Sequence, residues 1–319
     1  MIYNKKIDFF LIQFPIFFPF LYAVALLFSK NSSFENYLII LTILLLAEPH
    51  FGATWTIFFD KRNQQYFKKN KHQFYTGSFI VALFSICGFF LFKSFFLLIF
   101  FGFNLFHVTR QSVGICKIYN QDKHYNTFQN STIYFFNLIF FIIGILRFYI
   151  PLINEKIKFI LSILIILIII LIFLYELIKY KKLKNAFTTL TGSIIFFPIC
   201  FVDNPVHAIL MGVTMHYTQY IAITAKVYFG RRNILNIFKK ENFAKFFKTR
   251  YFFTVLIYGV IMTVLAISPK ASGGQVLQNL IIIPILGQML HFYLDSYLWK
   301  FSEAHNRDIT LKHLKEVIG

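Results

Sequence analysis

Acidic residues are scarce, 13 Asp and Glu against 32 Lys and Arg in 319 residues. Cysteine is scarcer still: Cys87, Cys116 and Cys200 are scattered with no CxxC spacing, which leaves them as packing residues. Long polar stretches are also few. The longest, at about 61–73, 230–250 and 300–319, are each too short to bury a core, so no soluble domain can be cut from the chain and residues 1–319 read as a single unit. No repeat of fixed period stands out, and the first apolar stretch lacks a small-residue cleavage site, so it reads as retained.

What fills the chain instead is apolar. Hydrophobic residues make up 57% of it and aromatics 20%, with 45 Phe and a mean hydropathy of +0.63, values foreign to a soluble domain of this length. The Phe, Ile, Lys and Asn richness looks like the codon bias of an AT-rich genome, so no single Phe is singled out. The sequence predicts an all-α, polytopic membrane bundle of about ten spans, near 7–29, 37–59, 74–92, 94–115, 131–151, 158–178, 186–202, 204–228, 251–270 and 275–299. Two joins, around Lys93 and around Asp203-Asn204-Pro205, would be tight hairpins.

Charge tests that count. With ten spans and a cytoplasmic N-terminus, 25 of the 32 Lys and Arg fall on the inner side, and six (Lys30, Lys93, Arg147, Lys156, Lys158, Lys270) on the outer. This is the bias expected of a multi-pass protein of the plasma membrane with both termini in the cytoplasm. The formal charge of +19 then needs no nucleic acid; basic loops suit anionic lipid. Residues Asn233–Thr249 read either as an amphipathic helix on the inner leaflet or as a basic loop, and residues 300–319 as a polar tail.

Polar residues at membrane depth carry the functional reading. His50 follows Glu48-Pro49, and Pro49 removes one helical hydrogen bond there. Asn104, His107, Arg110 and Gln111 form one helical stripe, which points Arg110 away from lipid. His216 lies one turn before Tyr220, while His207, nearer the outer surface, falls half a revolution away. Gln288, His291, Asp295 and Trp299 make another stripe.

The histidines of the second, fourth, eighth and tenth spans lie about 13, 13, 12 and 16 residues from their outer ends, a spread of roughly 6 Å at 1.5 Å per residue. Four imidazoles at one depth suggest a metal site of His50, His107, His216 and His291, which suits iron, zinc or copper. Asp295 or Glu48 would orient a ligand, Glu48 or Tyr220 would deliver protons, and Arg110 would pair with Glu48 or grip a substrate carboxylate. A hydrogen-bonded network without metal is the bland alternative. His72, His124, His305 and His313 are expected in solvated loops or the tail.

The patches PHFG at 49–52, FHVT at 106–109, MHYTQY at 215–220 and LHFYLD at 290–295 resemble the bacterial Brp/Blh membrane proteins, the β-carotene 15,15'-dioxygenases. That resemblance implies an all-helical fold, nonhaem Fe(II) held by histidines of several spans, and a hydrophobic small-molecule substrate, a carotenoid, isoprenoid or fatty acyl chain. The chain departs from the pattern at Tyr220, where the family has a second histidine, and at Arg110 and Gln111, where it has an acidic residue. The HxxxH and HxxHH boxes of membrane di-iron desaturases are absent. Two other classes stay open: a proton-coupled transporter using Glu48, Arg110, Asp295 and the histidines, and a non-catalytic membrane assembly factor.

Overall fold

The computed structural model describes residues 2–29, 32–120, 122–232, 246–271 and 279–315. Every regular element among them is helical. Among the described residues, six helices are long and apolar enough to cross a membrane: Ser33–Phe58, His72–Leu91, Lys93–Tyr119, Lys123–Tyr149, Glu155–Tyr180 and Arg250–Ser268. A pair bent by 55°, Lys5–Gln13 and Phe17–Leu27, makes a seventh if it counts as one span. The Glu155–Tyr180 helix is the most apolar of the six. Its buried residues are Ile165, Ile169 and Glu176, while Phe159, Leu171 and Ile178 stand exposed, a pattern compatible with a membrane-facing helix.

Three of the ten expected spans take other forms. Residues 186–202 become a short helix, Leu183–Ile194, followed by a 3-10 turn, Phe197–Cys200. Its Thr188, Thr189, Thr191 and Ser193 are buried, so it serves as a polar core element. The tenth segment is a shorter helix, Ile282–Leu298, and the eighth a long one, Pro205–Gly230, whose sequence is too polar to meet a span criterion. The amphipathic helix expected at Asn233–Thr249 lies mostly outside the described residues.

The chain groups into two compact units, residues 3–39 with 105–219, and residues 40–104 with 220–319. In the first, the Leu183–Ile194 helix is tied down by side-chain amides. Gln129 donates to Thr189 Oγ1 at 2.6 Å, Asn137 to the Gly192 carbonyl at 2.9 Å, and Thr191 to the Gln13 carbonyl at 2.7 Å. The hairpin at 203–205 is held by side chains of two helices, with Arg147 and Lys158 reaching Asp203 at 2.8 and 2.7 Å. The Lys158 contact leads in keeping the Asp203 carboxyl below its ordinary range. Gly212 lets the Ile195 carbonyl approach so closely that a Cβ there would sit 1.7 Å from the oxygen.

In the second unit, the Ser33–Phe58 helix widens into a π-turn at Ile43–Ala47 directly before Pro49. A proline without an N–H explains that widening. Gly52 and Gly259 let this helix press against the Arg250–Ala271 helix, at Tyr258 and Pro49 respectively. Ile57, Phe67, Phe74, Leu294 and Leu298 form an apolar cluster where the basic Lys61–Lys69 helix begins to cover the end of the unit.

The C-terminal tail is docked in its described part, unlike the solvated tail that its composition suggests. Asn306, Thr310, His313 and Leu314 are buried, and His305 stacks on Tyr66 with centroids 4.1 Å apart. Polar composition misled because the polar groups face partners on the unit itself. Arg231 donates to the Ile309 carbonyl and Thr310 Oγ1, and pairs with Asp60 at 3.0 Å. Burial works to raise the Asp60 carboxyl, but the Arg62 backbone N–H and the Arg231 guanidinium outweigh it and hold the group below its usual range. Burial, with the nearby Arg231 charge, pushes the His305 imidazole below its ordinary value.

Two outcomes follow. Gly212→Ala forces the Ile195 backbone away and lowers the detergent melting temperature by the equivalent of about 1–3 kcal/mol, whereas Gly114→Ala, with nothing within 4 Å, leaves it unchanged or higher. An equal effect at the two glycines contradicts the packing. The depressed His305 means that docking weakens as pH falls below about 6.5, and the depressed Asp60 that it weakens again through the carboxylate range. Protease cleavage in 300–315 therefore rises from pH 7 to pH 4. Asp60→Asn, which leaves a buried guanidinium uncompensated, exposes the tail at pH 7 at a cost of about 3 kcal/mol.

Candidate metal centre

Most hydroxyls on the long helices settle their own needs. Ser85, Thr109, Ser112, Thr132, Thr218 and Thr224 each donate to the carbonyl four residues earlier, at 2.7 to 3.0 Å. Thr54 behaves differently. Its Oγ1 lies 2.6 Å from Tyr220 Oη, 2.6 Å from His291 Nδ1 and 3.3 Å from Asp295 Oδ1. Tyr220 donates to Asp295 Oδ1 at 2.9 Å, and the Trp299 indole N–H points at the Tyr220 oxygen from 3.4 Å.

His50 completes this group. Its ring meets His291 edge to face at 4.5 Å and Tyr220 at 4.6 Å, and both imidazoles are 0% exposed. Phe51 covers the His291 ring from 5.0 Å. The local sequence accounts for the grouping: His50 and Thr54 are one turn apart beyond the Pro49 π-turn, as are His291 and Asp295 on their helix, so each helix presents two members on one face.

Each hydroxyl has one proton to give, which orders the network. It closes when His291 Nδ1–H donates to Thr54, Thr54 donates across the 2.6 Å contact to Tyr220 Oη, and Tyr220 donates to Asp295 Oδ1. That assignment leaves Nε2 of His291 carrying the lone pair, the state a metal ligand requires. Asp295 Oδ2 lies 3.7 Å from Nε2, beyond hydrogen-bonding distance. The carboxylate expected to orient His291 thus acts through the Tyr220 and Thr54 hydroxyls. Nothing in the sequence marks Thr54 beyond its place four residues after His50.

In the other unit, His107 and His216 pair with each other, rings perpendicular at 88° and centroids 5.6 Å apart, with 7% and 1% of their surface exposed. His216 stands one turn before Tyr220 on the unbroken Pro205–Gly230 helix. His207 is engaged elsewhere: Tyr22 Oη lies 2.7 Å from its Nδ1, and Glu35 Oε2 lies 3.7 Å from its Nε2. His72 and His124 are exposed as expected, although they lie in the first turns of helices and not in the loops that the sequence suggests.

Arg110 sits on the exposed side of its helix, its guanidinium 5.7 Å from the Phe106 ring, and carries no ion pair among the described residues. The inward orientation that its stripe suggests is not found, because the long side chain can snorkel toward the polar boundary. Glu48 is buried and accepts from Gln288 Nε2 at 3.3 Å.

The donor set suits an N-ligated transition metal. Paired neutral imidazoles, one held by an N–H contact to a hydroxyl that is itself anchored on a carboxylate, form the inner and supporting layers such sites use. If this reading of Thr54 holds, Thr54→Val, which keeps shape and removes the hydroxyl, lowers stability by about 1–3 kcal/mol in a detergent melt. A melt equal to that of the native chain would show the hydroxyl to be idle. No protein-family model, no curated protein and no solved structure matches this chain.

Proposed function

We propose that this chain is a multi-pass plasma-membrane metalloenzyme, a nonhaem iron oxygenase acting on a lipid-soluble substrate. His50, His107, His216 and His291 would hold the metal, with Fe(II) favoured over zinc or copper. The observation that carries the reading is the fully buried His50–His291 pair with Thr54 on Nδ1 of His291. Such imidazoles are costly in an apolar layer unless they have a partner. The His107–His216 pair supports it, since His216 precedes by one turn the Tyr220 whose ring packs on His50. The matched depth of the four positions in the sequence points the same way.

Iron with open coordination positions would supply dioxygen binding and activation. The residues do the rest. His291 is kept in one tautomer by Thr54, and Asp295 anchors both Thr54 and Tyr220. Tyr220 holds a phenolic proton adjoining His50 and is placed to give it up and regain it through Asp295. Phe51, Phe292 and the surrounding apolar side chains exclude water, which protects reactive species from hydrolysis. The substrate class follows the resemblance to the carotene dioxygenases: a carotenoid, isoprenoid or acyl chain reached from the lipid.

Elemental analysis of protein purified in detergent tests the reading. Near-stoichiometric iron is expected in the native chain, with each of His50→Ala, His107→Ala, His216→Ala and His291→Ala lowering it at least about tenfold, as loss of one ligand does. The exposed His72→Ala and His124→Ala should retain it. Equal metal in both groups rejects the centre, and retention of function after complete chelation favours the proton-coupled transporter.

A further inference from the structure

The Glu155–Tyr180 helix carries exposed apolar surface to its last turn and there meets a cluster of lysines. Leu171, Tyr175, Ile178 and Lys179 are spaced i, i+4, i+7 and i+8, one face of the helix, and all four are exposed. Three more exposed lysines, Lys181, Lys182 and Lys184, follow directly. Among the described residues none of these lysines forms an ion pair with a carboxylate. Glu176, on the same helix, faces inward: it is buried and accepts from Thr189 Oγ1 at 2.7 Å. Asp122 is spent as the N-cap of the Lys123–Gly144 helix.

Two of the ammonium groups are held in place by aromatic rings. Lys179 Nζ donates to Tyr175 Oη at 2.7 Å and stands 5.2 and 5.3 Å from the centres of the Tyr175 and Tyr180 rings. Lys182 Nζ lies 5.7 Å from the centre of the Tyr125 ring. The Tyr125 and Tyr180 rings stack at 4.0 Å, so both cations sit on one aromatic platform. Each keeps donors to spare, because an ammonium has three N–H groups. Between them Lys181 adopts φ 53°, in the left-handed region that favours glycine. It is the one residue other than glycine with a positive φ among the described residues, so a lysine stands where glycine would be relaxed.

An exposed apolar stripe that runs into fixed, unneutralised ammonium groups is the complement of an acyl chain with a phosphodiester at its head. We propose that Lys179, Lys181 and Lys182 bind the headgroup phosphate of an anionic phospholipid whose acyl chain lies along Leu171, Tyr175 and Ile178. Such a ligand lies against the outside of the helix, within the surrounding lipid, so the site needs no cavity. A free phosphate meets only the cations and leaves the apolar stripe unused. A zwitterionic lipid brings its own ammonium up to the lysines, which offsets part of the attraction. The inference needs the Glu155–Tyr180 helix to be a span and takes nothing from the metal centre.

The test is native mass spectrometry of the full chain in detergent, titrated with phosphatidylglycerol or with phosphatidylcholine of the same acyl chains. The native chain should hold phosphatidylglycerol about tenfold more tightly than phosphatidylcholine, as two ammonium groups at one headgroup provide. Lys179→Gln combined with Lys182→Gln should remove most of that preference while phosphatidylcholine binding stays as in the native chain, the sign of an intact fold. Lys68→Gln combined with Lys69→Gln, an exposed pair on the Lys61–Lys69 helix, should change it less than about twofold. Lys181→Gly relieves the backbone, so it should melt no lower than the native chain yet bind phosphatidylglycerol severalfold more weakly. Glycerol 3-phosphate in excess should not displace the lipid. Equal binding of the two lipids by the native chain overturns the proposal, and so does native-like phosphatidylglycerol binding in Lys181→Gly. An equal loss in the two double variants overturns it in favour of a field spread over all the basic residues, and displacement by glycerol 3-phosphate in favour of a plain anion site.

Discussion

A polar side chain buried among apolar helices must find its hydrogen bonds inside the protein, and that requirement organises this molecule. Serines and threonines on the long helices mostly meet it locally, by returning a hydrogen bond to the preceding turn. Imidazoles, carboxylates and phenols cannot. They are satisfied between helices, which is why Thr54, Tyr220, His291 and Asp295 form a single network in which the Thr54 hydroxyl reaches two other helices.

The irregular parts of the fold follow from the same demand. The π-turn at Ile43–Ala47 absorbs Pro49 and sets the face on which His50 and Thr54 emerge. Gly52, Gly259 and Gly287 bring helices close enough for side chains of ordinary length to meet. The Leu183–Ile194 helix carries buried threonines that are matched by Gln129, Asn137 and Gln13 within the first unit. Where polar groups instead lie at the ends of the helices, as with Asp60, Arg231 and the C-terminal tail, they form ion pairs that water and pH can reach.

Much of this was legible in the sequence, because hydropathy and helical spacing are local properties. The all-helical class, the rough positions of six of the ten expected spans and the His291–Asp295 stripe could be read directly. What escaped depends on chain segments far apart. Thr54 looks like any helix threonine until Tyr220 and His291 are placed around it. The tail looked solvated because composition does not show that Arg231 waits for Thr310 and Ile309. Residues 186–202 pass as a span by apolar content, yet their threonines are fixed by partners more than 50 residues away, such as Gln129 to Thr189. Arg110 looked inward-facing because spacing assigns a stripe but not the reach of a long side chain.

The central claim is that buried imidazoles here are ligands and not merely core residues. X-ray absorption at the iron edge of the purified chain addresses it most directly. The account predicts a first shell dominated by nitrogen at about 2.1 Å, with the outer-shell scattering of several imidazole rings. An iron-free protein, or a shell of oxygen or sulfur without imidazole scattering, would contradict it.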